Sequence, residues 1–214
     1  MMDIRTREAV RYLGYGKYAI DERILELIQE CFQELEQISS MRFIYRIFEM
    51  NSQNENEIKI GQIKIYSKNL YKNLQECHAI IVMGATLGSG VDRQMKRYAV
   101  TDMTKAVVMQ ACAAAFLEEF CDEKQKELEE LQKGLYLRPR FSPGYGDFSI
   151  LHQKDLLQMI DASKTIGLTM TDGYMLTPTK SVTAVIGISK TGQRCYVKGC
   201  EACNKTDCAF RRSE

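Results

Sequence analysis

The sequence predicts an α+β fold, a mainly antiparallel β-sheet flanked by helices. Strands and helices come in uneven blocks without the steady strand-helix alternation of a doubly wound sheet, and two neighbouring strand segments are joined by a short polar stretch. A third observation is the brief apolar run Ala79-Ile80-Ile81-Val82-Met83, which reads as a strand buried on both faces. With 214 residues, 45% of them apolar, the chain has material for one sizeable core. The expected division is a domain over residues 1–190 and a polar, cysteine-rich tail over 191–214.

Asp21 is an N-cap type, and Ile24, Ile28, Phe32, Leu35 and Ile38 follow it at spacings of three and four, which predicts an amphipathic helix. Arg42 to Met50 and Glu57 to Tyr66 read as two antiparallel strands around the polar stretch from Asn51 to Asn56. After the Ala79 to Met83 strand comes a glycine-rich turn. From Val91 to about Leu131 the pattern is helical, as one kinked helix or two, and its small-residue stretch Ala111 to Ala115 suits close packing. Lys124 to Lys133 is a charged, solvated helical end, and Gly134 is a candidate C-cap. Beyond a loop around Pro143, Leu151 to Ala162 reads as helix, and Gly167 to Thr171 and Ser181 to Ser189 as strands.

Charge and hydropathy exclude several functions. Lys plus Arg number 29 against 28 Asp plus Glu, so no long-range field would gather nucleic acid or an anionic membrane. No apolar run approaches the roughly 20 residues needed to span a bilayer, and the opening residues lack a signal peptide's apolar core. A cytoplasmic location is expected. Thiols stay reduced there, so the eight cysteines read as core residues or metal ligands rather than disulfides. No nucleophile-base pair stands out, and His78 and His152 read as core or surface residues, His152 being the one nearer a functional loop.

The segment Arg138-Pro139-Arg140-Phe141-Ser142-Pro143-Gly144-Tyr145-Gly146-Asp147 is the most informative stretch. Pro143 fixes one backbone angle and Gly144 allows a positive one, so nearby N–H and C=O groups can be aimed at a ligand. Arg140 has the planar fork to grip a carboxylate, and Tyr145 the ring to stack on a flat ligand. Composition alone favours an ordinary turn, since Pro and Gly mark turns everywhere.

Arg140-Phe141-Ser142-Pro143-Gly144-Tyr145 resembles the Arg-x-x-x-Gly-Tyr signature of the S-adenosylmethionine-binding activation domain of cobalamin-dependent methionine synthase. His152, Leu156-Leu157, Ile166 to Thr171 and Thr177 to Ala184 continue the resemblance in order, and Gly84 to Arg93 resembles free-standing members of that family. The resemblance implies that Arg140, Ser142, Gly144 and Tyr145 hold S-adenosylmethionine, joined by Tyr196, with Tyr145 at the face that meets the corrinoid. It implies a partner, a cobalamin-dependent methionine synthase whose cobalamin is reductively methylated from the cob(II) state, and a low-potential electron donor. No general acid or base is asked of this chain. Two departures stand out: Ala114 falls where the fused enzymes carry an acidic residue for the ligand's amino group, with Glu118 one turn on, and Cys195-Tyr196 replaces a Tyr-Tyr pair. Read without the family, the turn Gly84 to Gly90 lacks the Gly-Lys-Ser/Thr ending of a P-loop and reads as closing a strand. The rival functions are reactivation of another corrinoid methyltransferase and a non-catalytic binding module of the same fold.

Cys195-x4-Cys200-x2-Cys203-x4-Cys208 places four cysteines within fourteen residues. Thiolates so spaced can converge on zinc or on an iron-sulfur cluster, the alternative being that Cys200, Cys203 and Cys208 stay free in a tail. Cys31, Cys77, Cys112 and Cys121 are scattered and read as core.

Overall fold

A computed structural model describes residues 2–15, 20–54, 56–132 and 134–191. The chain is α+β, as the sequence predicts. Its elements in order are α1 (Ile4–Tyr12), α2 (Glu22–Ile38), β1 (Arg42–Asn54), β2 (Glu57–Ile60), β3 (Ile63–Tyr66), α3 (Lys68–Asn73), β4 (Cys77–Thr86), α4 (Ser89–Thr101) and α5 (Met103–Leu131). They continue with β5 (Tyr136–Leu137), a 3-10 turn (Ile150–His152), α6 (Gln153–Met159), α7 (Ala162–Ile166), β6 (Thr169–Met170), β7 (Leu176–Thr177) and β8 (Ser181–Ser189). Six strands form one sheet in the order β3-β2-β1-β4-β8-β5, every described pairing antiparallel, and β6 with β7 makes a separate hairpin.

β4 and β8 are paired interior strands, and both faces of each are covered. Ile81, Met83 and Ala85 of β4 and Ala184, Ile186 and Ile188 of β8 point into one core, shared with α1, α2 and α5. Ile80, Val82 and Val185 point into the other, closed by α3, α6 and α7. Strands buried on both faces need apolar residues at every position rather than alternate ones, which explains the unbroken run read from sequence.

Helix boundaries follow from side-chain caps. Asp21 accepts a hydrogen bond from the Arg23 N–H and starts α2, as expected from its type. Asp102 settles the long helical stretch as two helices: it ends α4, and its carboxylate accepts from the Lys105 N–H to start α5. Gly134 is not the C-cap of α5; Gln132 holds that position, and Gly134 takes its positive φ of 80° two residues later.

Three further readings are corrected. Glu57 to Tyr66 is a hairpin, β2 and β3 joined through Gly61-Gln62, and β1 extends to Asn54. Leu151 to Ala162 breaks into the 3-10 turn and α6, with α7 starting only at Ala162. Gly167 to Thr171 shrinks to the two residues of β6. The short helices α1 and α3 were not anticipated. α1 is held by Arg5, which pairs with Glu36 and Glu119 at 2.7 Å each and lies over the rings of Phe32 and Phe116.

The glycine-rich turn closes β4 and seats α4. Gly88 has a φ of 86°, and its N–H donates to Thr86 Oγ1 at 3.0 Å. Gly90 passes so close to the end of α2 that a β-carbon there would overlap the carbonyl oxygen of Ile38. That neighbour is backbone and cannot swing away, so Gly90→Ala is expected to destabilise the fold by about 1–3 kcal/mol, read as a lowered midpoint in urea denaturation.

Candidate functional site

The loop from Pro139 to Phe148 is clamped at three points. Phe141 exchanges both backbone hydrogen bonds with Val185 of β8, at 2.9 Å each, which ties the loop to the central sheet. Gly144, with a φ of 86°, donates its N–H to the Phe148 carbonyl at 2.7 Å. Tyr145 N–H donates to the Ser142 carbonyl at 3.1 Å. The positive angle at Gly144 turns the chain back so that these bonds close inside the loop.

Asp147 makes the third clamp. Its carboxylate accepts from the Ser67 hydroxyl and from the N–H groups of Lys68 and Asn69, the latter two at 2.8 and 3.1 Å. These are the free donors of the first turn of α3, so the helix holds the loop while the loop caps the helix. The Ser67 hydrogen bond first, and then those N–H groups, hold the Asp147 carboxyl below its usual pKa. Although Asp147 falls inside the segment singled out from sequence, nothing there identifies its partners.

Arg140 lies with its fork filled. It donates to Gln125 Oε1 at 3.1 Å, to Glu118 Oε2 at 3.0 Å and to Asp122 Oδ1 at 2.6 Å, all on α5. Its side chain is only 17% exposed. The structure thus brings Glu118 to the loop, as the sequence suggested, but as a partner of Arg140. Glu118 and Asp122, four residues apart, share one face of α5, but their spacing does not name Arg140 as the partner.

Tyr145 is 64% exposed and meets Phe141 edge-on, with ring centroids 5.5 Å apart. A stacking face stays open to solvent. Behind it Phe148 is buried and stacks on His152, whose Nδ1 lies 2.9 Å from Asp155 Oδ2. His152 is therefore part of the loop's support.

Farther along α5, Gln110 and Ala114 precede Glu118 on the same face, and Ala114 is half-buried. Lys180 reaches this face from the start of β8, its Nζ donating to the Gln110 carbonyl at 3.0 Å. Asp92 of α4 fixes the neighbouring backbone, accepting from the Thr179 N–H at 2.8 Å and from its hydroxyl at 2.7 Å. A separate cavity of about 480 Å³, lined by Met50, Ile58, Tyr71, Leu74, Gln75, Glu76 and Cys77, has no such convergence of charged groups.

Residues 26–213 match the family described as vitamin B12 dependent methionine synthase, activation domain. The chain belongs to this family. Among solved structures, the crystal structure of the MetH reactivation domain bound to AdoHcy shares the fold, with a TM-score of 0.59 and 14% identity. The alignment covers 85% of this chain and 74% of that one. No protein of curated function matches the sequence.

Within this activation-domain fold, Arg140, Ser142, Gly144 and Tyr145 lie on one clamped loop, and of these Arg140 reaches α5. Tyr196 and the four tail cysteines, Cys195, Cys200, Cys203 and Cys208, lie outside the described residues. Cys31, Cys77, Cys112 and Cys121 are buried, as expected of core thiols, and burial pushes the Cys121 thiol up to about 12. Among the described residues no cluster of His, Cys, Asp or Glu fits a metal ion, and no helix is long and apolar enough to cross a membrane.

The Asp147 clamp has a pH signature. Its folded pKa is depressed, so its contribution is present above the usual carboxylate range and lost as pH falls through the lowered value. Asp147→Asn is expected to lower stability at neutral pH and to flatten the acid limb of the stability profile, measured by denaturation midpoints between pH 3 and 7, roughly the carboxylate titration range.

Proposed function

We propose that this activation-domain chain binds S-adenosylmethionine along the face of α5 beside the Arg140 to Tyr145 loop and presents its methyl group to the cobalamin of a partner methionine synthase. The observation that carries the reading is the clamped loop itself. It is fixed to the sheet through Phe141 and to α3 through Asp147, it keeps an open aromatic face at Tyr145, and through Arg140 it is paired to the carboxylates of α5. A cationic sulfonium suits that setting, because Glu118 and Asp122 carry two negative charges against the single positive charge of Arg140.

The chemistry asked of the chain is small. The sulfonium already makes the methyl electrophilic, and the partner's cob(II)alamin accepts it together with one electron from a low-potential donor, giving methylcobalamin and S-adenosylhomocysteine. This chain binds and orients, the source of much of the rate advantage where a reaction needs no proton transfer. Arg140 holds Glu118 and Asp122 in place, Ser142 and Gly144 shape the backbone, and Tyr145 offers its ring to the flat adenine or corrinoid. The chain alone is expected to be inactive.

We also propose that Cys195, Cys200, Cys203 and Cys208 bind one metal centre, on the strength of their spacing in a reduced cytoplasm. A structural zinc would convert binding energy into folding energy for a tail too polar to form a core, while a cluster would serve as an electron entry point.

Three measurements test these readings. Calorimetry with S-adenosylmethionine is expected to show binding that weakens by about 1.5–3 kcal/mol in Arg140→Ala and is abolished in Gly144→Val; unchanged affinity in both variants sinks the placement. With the cognate synthase and a strong reductant present, the visible spectrum should pass from cob(II)alamin to methylcobalamin. For the tail, protein purified without oxygen is expected to retain iron with absorption near about 400 nm, or one zinc without colour. Retention of neither metal, with Cys203→Ser leaving stability unchanged, removes the metal proposal.

A further inference from the structure

Lys180 is a cation whose position the fold secures without a direct ion pair among the described residues, the acting charge being that of Asp92. Its carbonyl accepts the Leu87 N–H at 2.9 Å, Asp92 holds the preceding Thr179, and β8 begins at the next residue. Its Nζ bonds to the Gln110 carbonyl and forms no ion pair among the described residues. An ammonium carries three donors, so one carbonyl leaves capacity for an incoming acceptor. Burial lowers the pKa of Lys180, opposed by the charge of Asp92, so an anionic ligand group would relieve a charge held partly out of water.

The Gln110 carbonyl is the one an α-helix pairs with the N–H of Ala114, so the ammonium stands over the turn between these residues. One turn on is Glu118, its side chain 43% exposed. Between Lys180 and Glu118 on this face of α5 lies Ala114, half-buried, so this strip of the helix carries opposite charges at its two ends.

We propose that Lys180 and Glu118 clamp a zwitterionic α-amino-acid group over Ala114, Lys180 taking the carboxylate and Glu118 the ammonium. This deepens the adenosyl-ligand reading and rests on it, and it moves the carboxylate contact from Arg140 to Lys180. The dimensions agree: an amino nitrogen and a carboxylate oxygen about 3 Å apart, with a hydrogen bond of about 2.8 Å at each end, span roughly 8–9 Å. One to two helical turns, about 6–12 Å, separate Glu118 from Ala114 and Gln110. The opposite orientation would set the ligand carboxylate against Glu118 and Asp122, which already outnumber Arg140.

The test is calorimetry on the full chain with S-adenosylmethionine and with its decarboxylated analogue, which keeps the ammonium and sulfonium. The unaltered chain is expected to prefer the complete ligand by about tenfold to a hundredfold. Lys180→Met should erase that preference by weakening the complete ligand alone, Lys180→Arg should retain most of it, and Glu118→Gln should weaken both ligands. Equal affinity of Lys180→Met and the unaltered chain for the complete ligand overturns the clamp, as does a loss of preference in Lys180→Arg or unchanged binding in Glu118→Gln. Failure of the unaltered chain to bind either ligand overturns the adenosyl reading as well, so the two failures are distinguishable.

Discussion

The pairing of β4 with β8 is the constraint on which the rest of the molecule depends. Its antiparallel register runs from Cys77 opposite Ser189 to Thr86 opposite Ser181 and buries apolar side chains on both faces. Two different helical layers are thereby tied to one pair of strands, α1, α2 and α5 on one side and α3, α6 and α7 on the other. The loop inherits its place from this pair, because Phe141 docks on Val185. So does Lys180, which stands one residue before β8 with its carbonyl bonded to Leu87, just beyond the end of β4.

Close packing around that pair also explains where the chain has no side chain. A β-carbon at Gly187 would meet Cys77 Sγ at 2.5 Å and Leu74 Cδ2 at 2.8 Å, and one at Gly84 would meet Ile160 Cδ1 at 2.9 Å. Both glycines lie in the paired strands, where helices and loops approach the sheet closely. Glycine in a strand forfeits packing of its own, and here it admits the packing of its neighbours.

The parts legible in the sequence were those set by local chemistry. β8 falls on the residues its pattern predicts, and Asp21 caps α2 as its type predicts; one kinked helix or two were both open, and the Asp102 carboxylate decides for two. The β2–β3 hairpin was read as one strand although its signal is local: Ile58 and Ile60 alternate in one phase and Ile63 and Ile65 in the other, and the shift falls at Gly61-Gln62. α1 was not legible, because it is secured by Arg5 reaching Glu36 and Glu119 on other elements. The same limit applies to the site. The loop announced itself through its prolines, glycines and resemblance, whereas the filling of Arg140's fork and the placing of Lys180 over α5 depend on contacts that no spacing within one element reveals.

The separation along the chain of β4 and β8 has a consequence for biosynthesis. Ser189, the last residue of β8, bonds to the carbonyl of Glu76, 113 residues earlier. Contacts of such long range form late in folding, since loop closure must precede them. While a ribosome is still extending the chain, β4 is available with one edge unpaired, and the loop has no Val185 on which to settle. An unpaired apolar edge is a template for association with other chains. The nascent polypeptide is therefore exposed to aggregation until β8 emerges, and the docking of the loop on Val185 and the protection of that edge arrive together.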